Sequence, residues 1–327
     1  MMRCHGCGGP LSATESTGGW HKTCARRFFG RPEVPEVATT RARLEELAQR
    51  SIQAGQAVTG VQKKLSVHLS DTETPRRLTL VGYPAGYILK PPSSEYPELP
   101  ELEHTTMRMA ERIGLKVVPH GLIELGDQDR GYITRRVDRT KSPEVRIPME
   151  DLCQLSERLT EDKYRGSYEQ VGKVIARYSS RPGLDLSDYF FLLVFSFVTG
   201  NSDMHLKNFS LYCPESDWIL SPAYDLLPTT LVIPEDREEM ALTLNGKKRR
   251  ITRTDLVSLG ESLGVNPKAV QRIIAAVAGH QETLVSTVEE SFLSNEARTT
   301  YVSLLKERIR RLDAHRDDKG IDRISAT

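Results

Sequence analysis

Three residues have types and spacing that could do chemistry: Asp203, Asn208 five positions on, and Asp225 seventeen positions after that. They lie in Gly200-Asn-Ser-Asp-Met-His-Leu-Lys-Asn208 and in Ala223-Tyr-Asp-Leu226. Phosphoryl transfer to a hydroxyl needs a carboxylate beside the attacking oxygen and hard oxygen ligands that hold Mg²⁺ on the nucleotide phosphates. Asp203 suits the first task, and Asn208 and Asp225 suit the second. The step from Asp203 to Asn208 matches the Asp-to-Asn separation of the protein-kinase catalytic loop, with Asn201-Ser202 in place of its His-Arg. Singly, each residue reads as an ordinary loop cap. Together, delivered by one apolar helix and one hairpin, they form a candidate site.

Such chemistry also needs a cation for the phosphates and a backbone cradle. Lys90 closes the strand Tyr87-Ile-Leu-Lys, and Glu103 on the following helix is the candidate acid that orients it, with Glu101 second. Before the first strand, Ala57-Val-Thr-Gly-Val-Gln-Lys-Lys-Leu65 supplies Gly60, where backbone amides can approach phosphate oxygens; one glycine there also suits a plain turn. His205 lies inside the catalytic segment, where it would brace the loop by hydrogen bonding. A separate group, Cys4-His-Gly-Cys7 followed by His21-Lys-Thr-Cys24, has the form C-x2-C-x13-H-x2-C of a closed structural Zn²⁺ site. The bland alternative is a set of unrelated cysteines in a reduced cytoplasm.

The elements that must position these groups read as follows. Alternating runs at Lys64–Leu69, Arg77–Val81 and Gly86–Lys90 predict antiparallel strands. Leu102, Thr106, Met109 and Ile113 recur at helical spacing, and Val117–Leu125 and Gly131–Arg136 return to strand character. The second half reads mainly as helix, from near Ser167, through the apolar Leu186–Thr199 run that ends at the Asp203 loop, to a last helix over Ser294–Leu312. Asn266-Pro267 is a helix start with its cap and first-turn proline. A hairpin through Phe209–Tyr212 and Trp218–Leu220 leads to Asp225.

With 327 residues, the chain exceeds what one core usually organises. The expected fold class is α+β: a zinc-binding module over residues 1–30, a small strand-rich nucleotide-binding lobe over 31–139, a helical catalytic lobe over 140–315 and a polar tail over 316–327. A net charge of +1 argues against direct nucleic-acid binding. The run Lys247-Lys248-Arg249-Arg250 reads as a solvated turn. Phe190–Val198, the longest apolar stretch, is too short to span a bilayer, and no signal segment opens the chain; a cytoplasmic location and no membrane partner are expected.

Thr59-Gly-Val-Gln-Lys-Lys-Leu, Tyr87-Ile-Leu-Lys-Pro, Glu101-Leu-Glu-His, Ile133-Thr-Arg-Arg-Val-Asp-Arg139, the Gly200–Asn208 segment and Pro222-Ala-Tyr-Asp225 together resemble, in matching order, the HipA family of serine/threonine kinase toxins. The resemblance implies a two-lobed protein-kinase-like fold, Mg-ATP as cofactor, phosphorylation of a protein substrate and pairing with a DNA-binding antitoxin. It further implies that Thr59, Gly60, Val61, Gln62, Lys63 and Lys64 form the phosphate loop, and that Lys90 binds ATP phosphates. Asp203 would be the catalytic base, Asn208 and Asp225 would hold Mg²⁺, and the backbone of Arg135, Arg136 and Val137 would line the adenine pocket. Longer HipA proteins carry an amino-terminal subdomain with no counterpart here, so the chain looks like the shortened HipT branch, in which a small separate protein supplies that piece. The family's self-modified serine loop reads Ala57-Val58-Thr59-Gly60 here, which leaves Thr59 as the expected autophosphorylation site. An aminoacyl-tRNA synthetase is the implied target. A small-molecule or lipid kinase, or a pseudokinase acting as a transcriptional co-regulator, are the alternatives.

Overall fold

The computed structural model describes residues 2–12, 14, 16–37, 40, 42–44, 46–47, 64–70, 77–80, 85–96, 98–126, 129–140 and 145–313. The expected phosphate-loop residues Thr59 to Lys63, and with them the Thr59 modification, lie outside these. Two compact units divide the chain: Met1–Arg108 with Val117–Ile147 and Glu290–Leu293, and Met109–Lys116 with Pro148–Glu289 and Ser294–Thr327.

The first unit begins with a short hairpin, β1 (Ser16–Thr17) and β2 (Trp20–His21), and the helix Lys22–Phe29. Its sheet comprises β3 (Leu65–Leu69), β4 (Leu78–Leu80), β5 (Tyr87–Lys90), β6 (His120–Glu124) and β7 (Arg130–Arg135). All neighbours are antiparallel, in the order β4-β3-β5-β7-β6. β3 alternates, with Leu65, Val67 and Leu69 inward, as a strand with one covered face must. In β7 the four residues Gly131 to Thr134 are all buried. Glu103 rides on the helix Leu99–Arg112, where Leu99 and Met107 are also buried.

The amino-terminal segment, expected as a module of its own, instead shares one core with the sheet. Cys4, Trp20, Phe28 and Phe29 pack in the same buried cluster as Leu65, Val67, Leu89 and Ile133. A segment this short has too little apolar surface to close a core alone, so it borrows the sheet's.

The second unit is mainly helical. Its small sheet, β8 (Met149–Asp151), β9 (Ser210–Tyr212) and β10 (Ile219–Leu220), runs antiparallel with β9 in the middle. The helix Pro182–Thr199 opens with proline in its first turn, where the missing N–H matters least. By length and composition this 18-residue helix passes for a membrane span, longer than the apolar stretch Phe190–Val198 within it. It is instead 67% buried inside the protein. Ser167, Thr252 and Asn266 cap the helices Tyr168–Tyr178, Arg253–Ser262 and Pro267–Gly279, and the helix Asn295–Asp313 closes the described chain. The basic run at Lys247 is a turn closed by reciprocal Leu244–Lys247 backbone bonds. Two of its cations are not free, since Lys247 pairs with Asp255 at 2.8 Å and Lys248 with Glu238 at 3.1 Å.

Candidate active site

In the second unit, the helix Pro182–Thr199 must end abruptly to release the Asp203 loop. Gly200 does this at φ 71°, a left-handed conformation that a β-carbon disfavours. A β-carbon there would also lie 2.6 Å from Leu304. Ser202 is then pinned through its N–H and hydroxyl to the Thr229 hydroxyl, both at 2.8 Å. The loop closes on itself: Asn208 Nδ2 donates to the Asp203 carbonyl at 2.7 Å and the His205 N–H donates to the same oxygen at 2.8 Å. With its N–H engaged, the Asn208 carboxamide offers its oxygen as an acceptor.

Asp225 has φ 60°, a sparsely populated region for any residue with a side chain, although aspartate tolerates it better than most. The neighbouring Tyr224 ties this turn to the loop, its hydroxyl meeting Ser210 Oγ at 2.6 Å and donating to the Lys207 carbonyl at 3.1 Å. Lys207 itself pairs with Asp151 of β8 at 2.6 Å. Tyr164 was not found from the sequence. Its hydroxyl donates to Asp203 Oδ1 at 2.6 Å, and its ring stands edge-on to His205 with centroids 5.0 Å apart. Burial, the Asp203 hydrogen bond and the negative fields of Asp203, Asp225 and Asp236 push its phenol pKa well up. Asp203 and Asp225 therefore act on one neighbourhood. No spacing rule links position 164 to 203, so only the lone tyrosine in Asp162-Lys-Tyr-Arg165 could have marked it.

In the first unit, Lys90 Nζ donates to Glu103 Oε1 at 2.5 Å, and the two residues are 3% and 0% exposed. The ammonium also lies 5.3 Å from the Tyr132 ring centroid. Glu101 takes a different partner, Arg130, at 3.1 Å, and burial raises its pKa. The Arg135 and Arg136 amides donate to Pro119 and Gly86 carbonyls at 3.0 Å each, so sheet bonds already use two of the three N–H groups expected near adenine. The Arg136 guanidinium grips Asp138 through two bonds of 2.9 and 2.6 Å. Val137 is half-buried and Lys64 is exposed.

Cys4, Cys7, His21 and Cys24 also come together in this unit, their ligand atoms all within 4.8 Å of one another. The Cys7 thiol is pulled down to about 4, first by its hydrogen bond with Cys4, whose own thiol is pushed up in return.

A strand-rich unit with a buried lysine–glutamate pair, and a helical unit with an Asp/Asn loop and a second aspartate, define a mixed α/β class of known fold. The HipA-like C-terminal domain model matches residues 56–285, and the chain belongs to that family. It shares its fold with HipA in a complex of the Shewanella oneidensis MR-1 toxin–antitoxin system with HipB and operator DNA. That match has a TM-score of 0.66 and 20% identity, and covers 84% of this chain and 72% of the other. The Helicobacter pylori proinflammatory kinase CtkA matches with a TM-score of 0.54 and 14% identity, covering 75% and 92%. In sequence, a Haemophilus influenzae protein named "Putative kinase" is 26% identical over 320 residues, covering 87% of this chain and 90% of the relative. Two Sinorhizobium fredii proteins with the same designation, Y4dM and Y4mE, are 32% and 30% identical. The chain spans 55% and 61% of their lengths.

Proposed function

We propose that this protein is an ATP-dependent protein kinase that phosphorylates serine or threonine, and that it is the toxin partner of a DNA-binding antitoxin. The reading rests chiefly on the Asp203 loop. Its carboxylate already accepts a hydroxyl hydrogen bond at 2.6 Å, as a base facing an acceptor would, and its backbone is closed by Asn208. Family membership, the kinase designations of the relatives and the HipB-bound HipA neighbour support the finer statement.

Asn208 and Asp225 offer the hard oxygen donors that suit Mg²⁺, so the residues present fit a magnesium nucleotide. Bound Mg-ATP would supply the phosphoryl group. Asp203 would take the proton of the attacking hydroxyl, and Asn208 and Asp225 would hold the divalent ion. Lys90, fixed by Glu103, would present its ammonium to the phosphates. The backbone near Val137 would contact the base, and His205 would steady the loop. Transfer from radiolabelled ATP to proteins of a cell extract, with identification of the labelled acceptor, tests the proposal. Asp203→Asn should lower transfer about 10²- to 10⁴-fold. Asp225→Asn should abolish it without unfolding the chain, because asparagine tolerates a left-handed backbone. Label appearing only on lipid or small metabolites would overturn the protein-kinase reading. Undiminished transfer by both variants would overturn the site.

A further inference from the structure

The cysteine–histidine cluster has the chemistry of a closed metal site. Zn–S bonds of about 2.3 Å and a Zn–N bond of about 2.0 Å require ligand atoms roughly 3.5–3.8 Å apart around a tetrahedron. His21 Nδ1 lies 3.4 Å from Cys7 Sγ and 3.7 Å from Cys24 Sγ. The other ring nitrogen, Nε2, is 2.8 Å from the Pro10 carbonyl. A carbonyl only accepts, so Nε2 carries the proton and Nδ1 turns its lone pair toward the thiols, the outer-shell bond that orients a metal-binding imidazole. The His21 N–H donates to Cys4 Sγ at 3.2 Å, which fixes that sulfur beside the imidazole. Four protein ligands leave no position for substrate.

What the cluster holds in place is specific. Trp20, next to His21, is 1% exposed and its indole N–H donates to the Leu122 carbonyl at 3.0 Å. The Leu122 N–H in turn donates to the His5 carbonyl at 3.0 Å, and His5 follows Cys4. Both backbone groups of Leu122, on the terminal strand of the sheet, are thus satisfied by the metal-ligating segment, which closes an edge that would otherwise be open. Two glycines form the slot for the indole: a β-carbon on Gly6 or on Gly121 would come within 2.4 Å of it. Cys24 lies in the helix Lys22–Phe29, whose Phe28 and Phe29 pack on Tyr87 with centroids 5.8 and 6.1 Å apart. Tyr87 begins the strand that ends in Lys90.

We propose that Cys4, Cys7, His21 and Cys24 bind one structural zinc ion, and that this ion clamps Trp20 and the edge of β6 so that the Lys90-bearing sheet depends on metal for its order. The inference stands apart from the kinase reading, because neither the four ligands nor the Trp20 clamp takes part in phosphotransfer and the test reads metal content and order rather than transfer.

The test uses the full chain purified without added metal. Elemental analysis should give about one zinc per chain. Of the two tryptophans, Trp218 can be replaced by phenylalanine so that Trp20 alone reports. Chelation should then shift its emission to the red, and added ZnCl₂ should reverse the shift. Hydrogen exchange read in parallel should show residues 87–90 and 120–124 losing protection while the helix Arg253–Ser262 keeps it. Cys24→Ser should reproduce the chelated state. Should that variant fail to fold, chelation of the unsubstituted chain reads the same quantities. A wild-type chain that carries no zinc, or carries iron, or has these cysteines in a disulfide, overturns the proposal. So does a zinc-loaded chain whose Trp20 emission and strand protection ignore chelation, or one in which both units lose protection together.

Discussion

With Asp203 as the proposed base, the Tyr164 hydroxyl on its Oδ1 competes with an acceptor hydroxyl for that carboxylate. On that reading an entering acceptor displaces the Tyr164 hydroxyl, so Tyr164→Phe should lower the acceptor KM roughly three- to tenfold while leaving the KM for ATP unchanged. Steady-state kinetics with both substrates varied would check this, and a raised acceptor KM would mean that Tyr164 positions Asp203 instead. The Lys90–Glu103 pair is buried on both sides. Removing only one partner leaves a buried charge uncompensated, so Glu103→Ala should cost about 3–5 kcal/mol, measurable by urea unfolding. The sequence offered both Glu101 and Glu103 from one helical pattern. Only side-chain packing could assign Lys90 to one and Arg130 to the other.

At the scale of elements, the helix Arg253–Ser262 is held by a capping box in which Thr252 and Asp255 bond reciprocally. Asp255 does more than cap. Burial alone would raise its pKa, but hydrogen bonds from Lys247, Asn245 and Thr252 outweigh it and hold the carboxyl at about 2. Its folded pKa is therefore below the ordinary unfolded value near 4. The stability it contributes, roughly 2 kcal/mol, is present above about pH 4 and lost as pH falls toward 2. Acid unfolding of Asp255→Asn should lack that increment, and its urea midpoint at pH 7 should be lower than that of the unsubstituted chain. The cap at Asn266-Pro267 was legible because it is local chemistry. By contrast β8 was not, since a three-residue strand forms only because β9 is there to pair with it.

For the whole molecule, acid sensitivity should differ between the two units. In the first, His104 Nδ1 meets His120 Nδ1 at 3.3 Å. Burial, then the neighbouring His120, Arg108 and His5, lower the His104 pKa well below normal, and burial and Arg108 lower that of His120 to about 3. Both rings are neutral when folded and protonate near 6.5 when unfolded, so the unfolded chain gains protons first. Stability is then full above about pH 6.5 and declines as pH falls, by roughly 2 kcal/mol at pH 5 for His120 and in the same direction for His104. Calorimetry at pH 5 should show the first unit melting ahead of the second, with hydrogen exchange assigning the transitions. A His104→Phe/His120→Phe chain should narrow the gap. Coincident melting of the two units at pH 5 would refute the assignment.

Local order along the chain was enough for the Asp203–Asn208 step, the Asn266 helix cap, the alternating strands, the spacing of the four zinc-ligand candidates and the family motifs. Each is written in residues close along the chain, where backbone geometry fixes their separation. Tertiary structure alone decided the rest. Tyr164 reaches Asp203 across 39 positions, and Trp20 reaches Leu122 across 102. It also made the cysteine segment a part of the sheet's core, because burial of an indole depends on surfaces that no stretch of thirty residues contains.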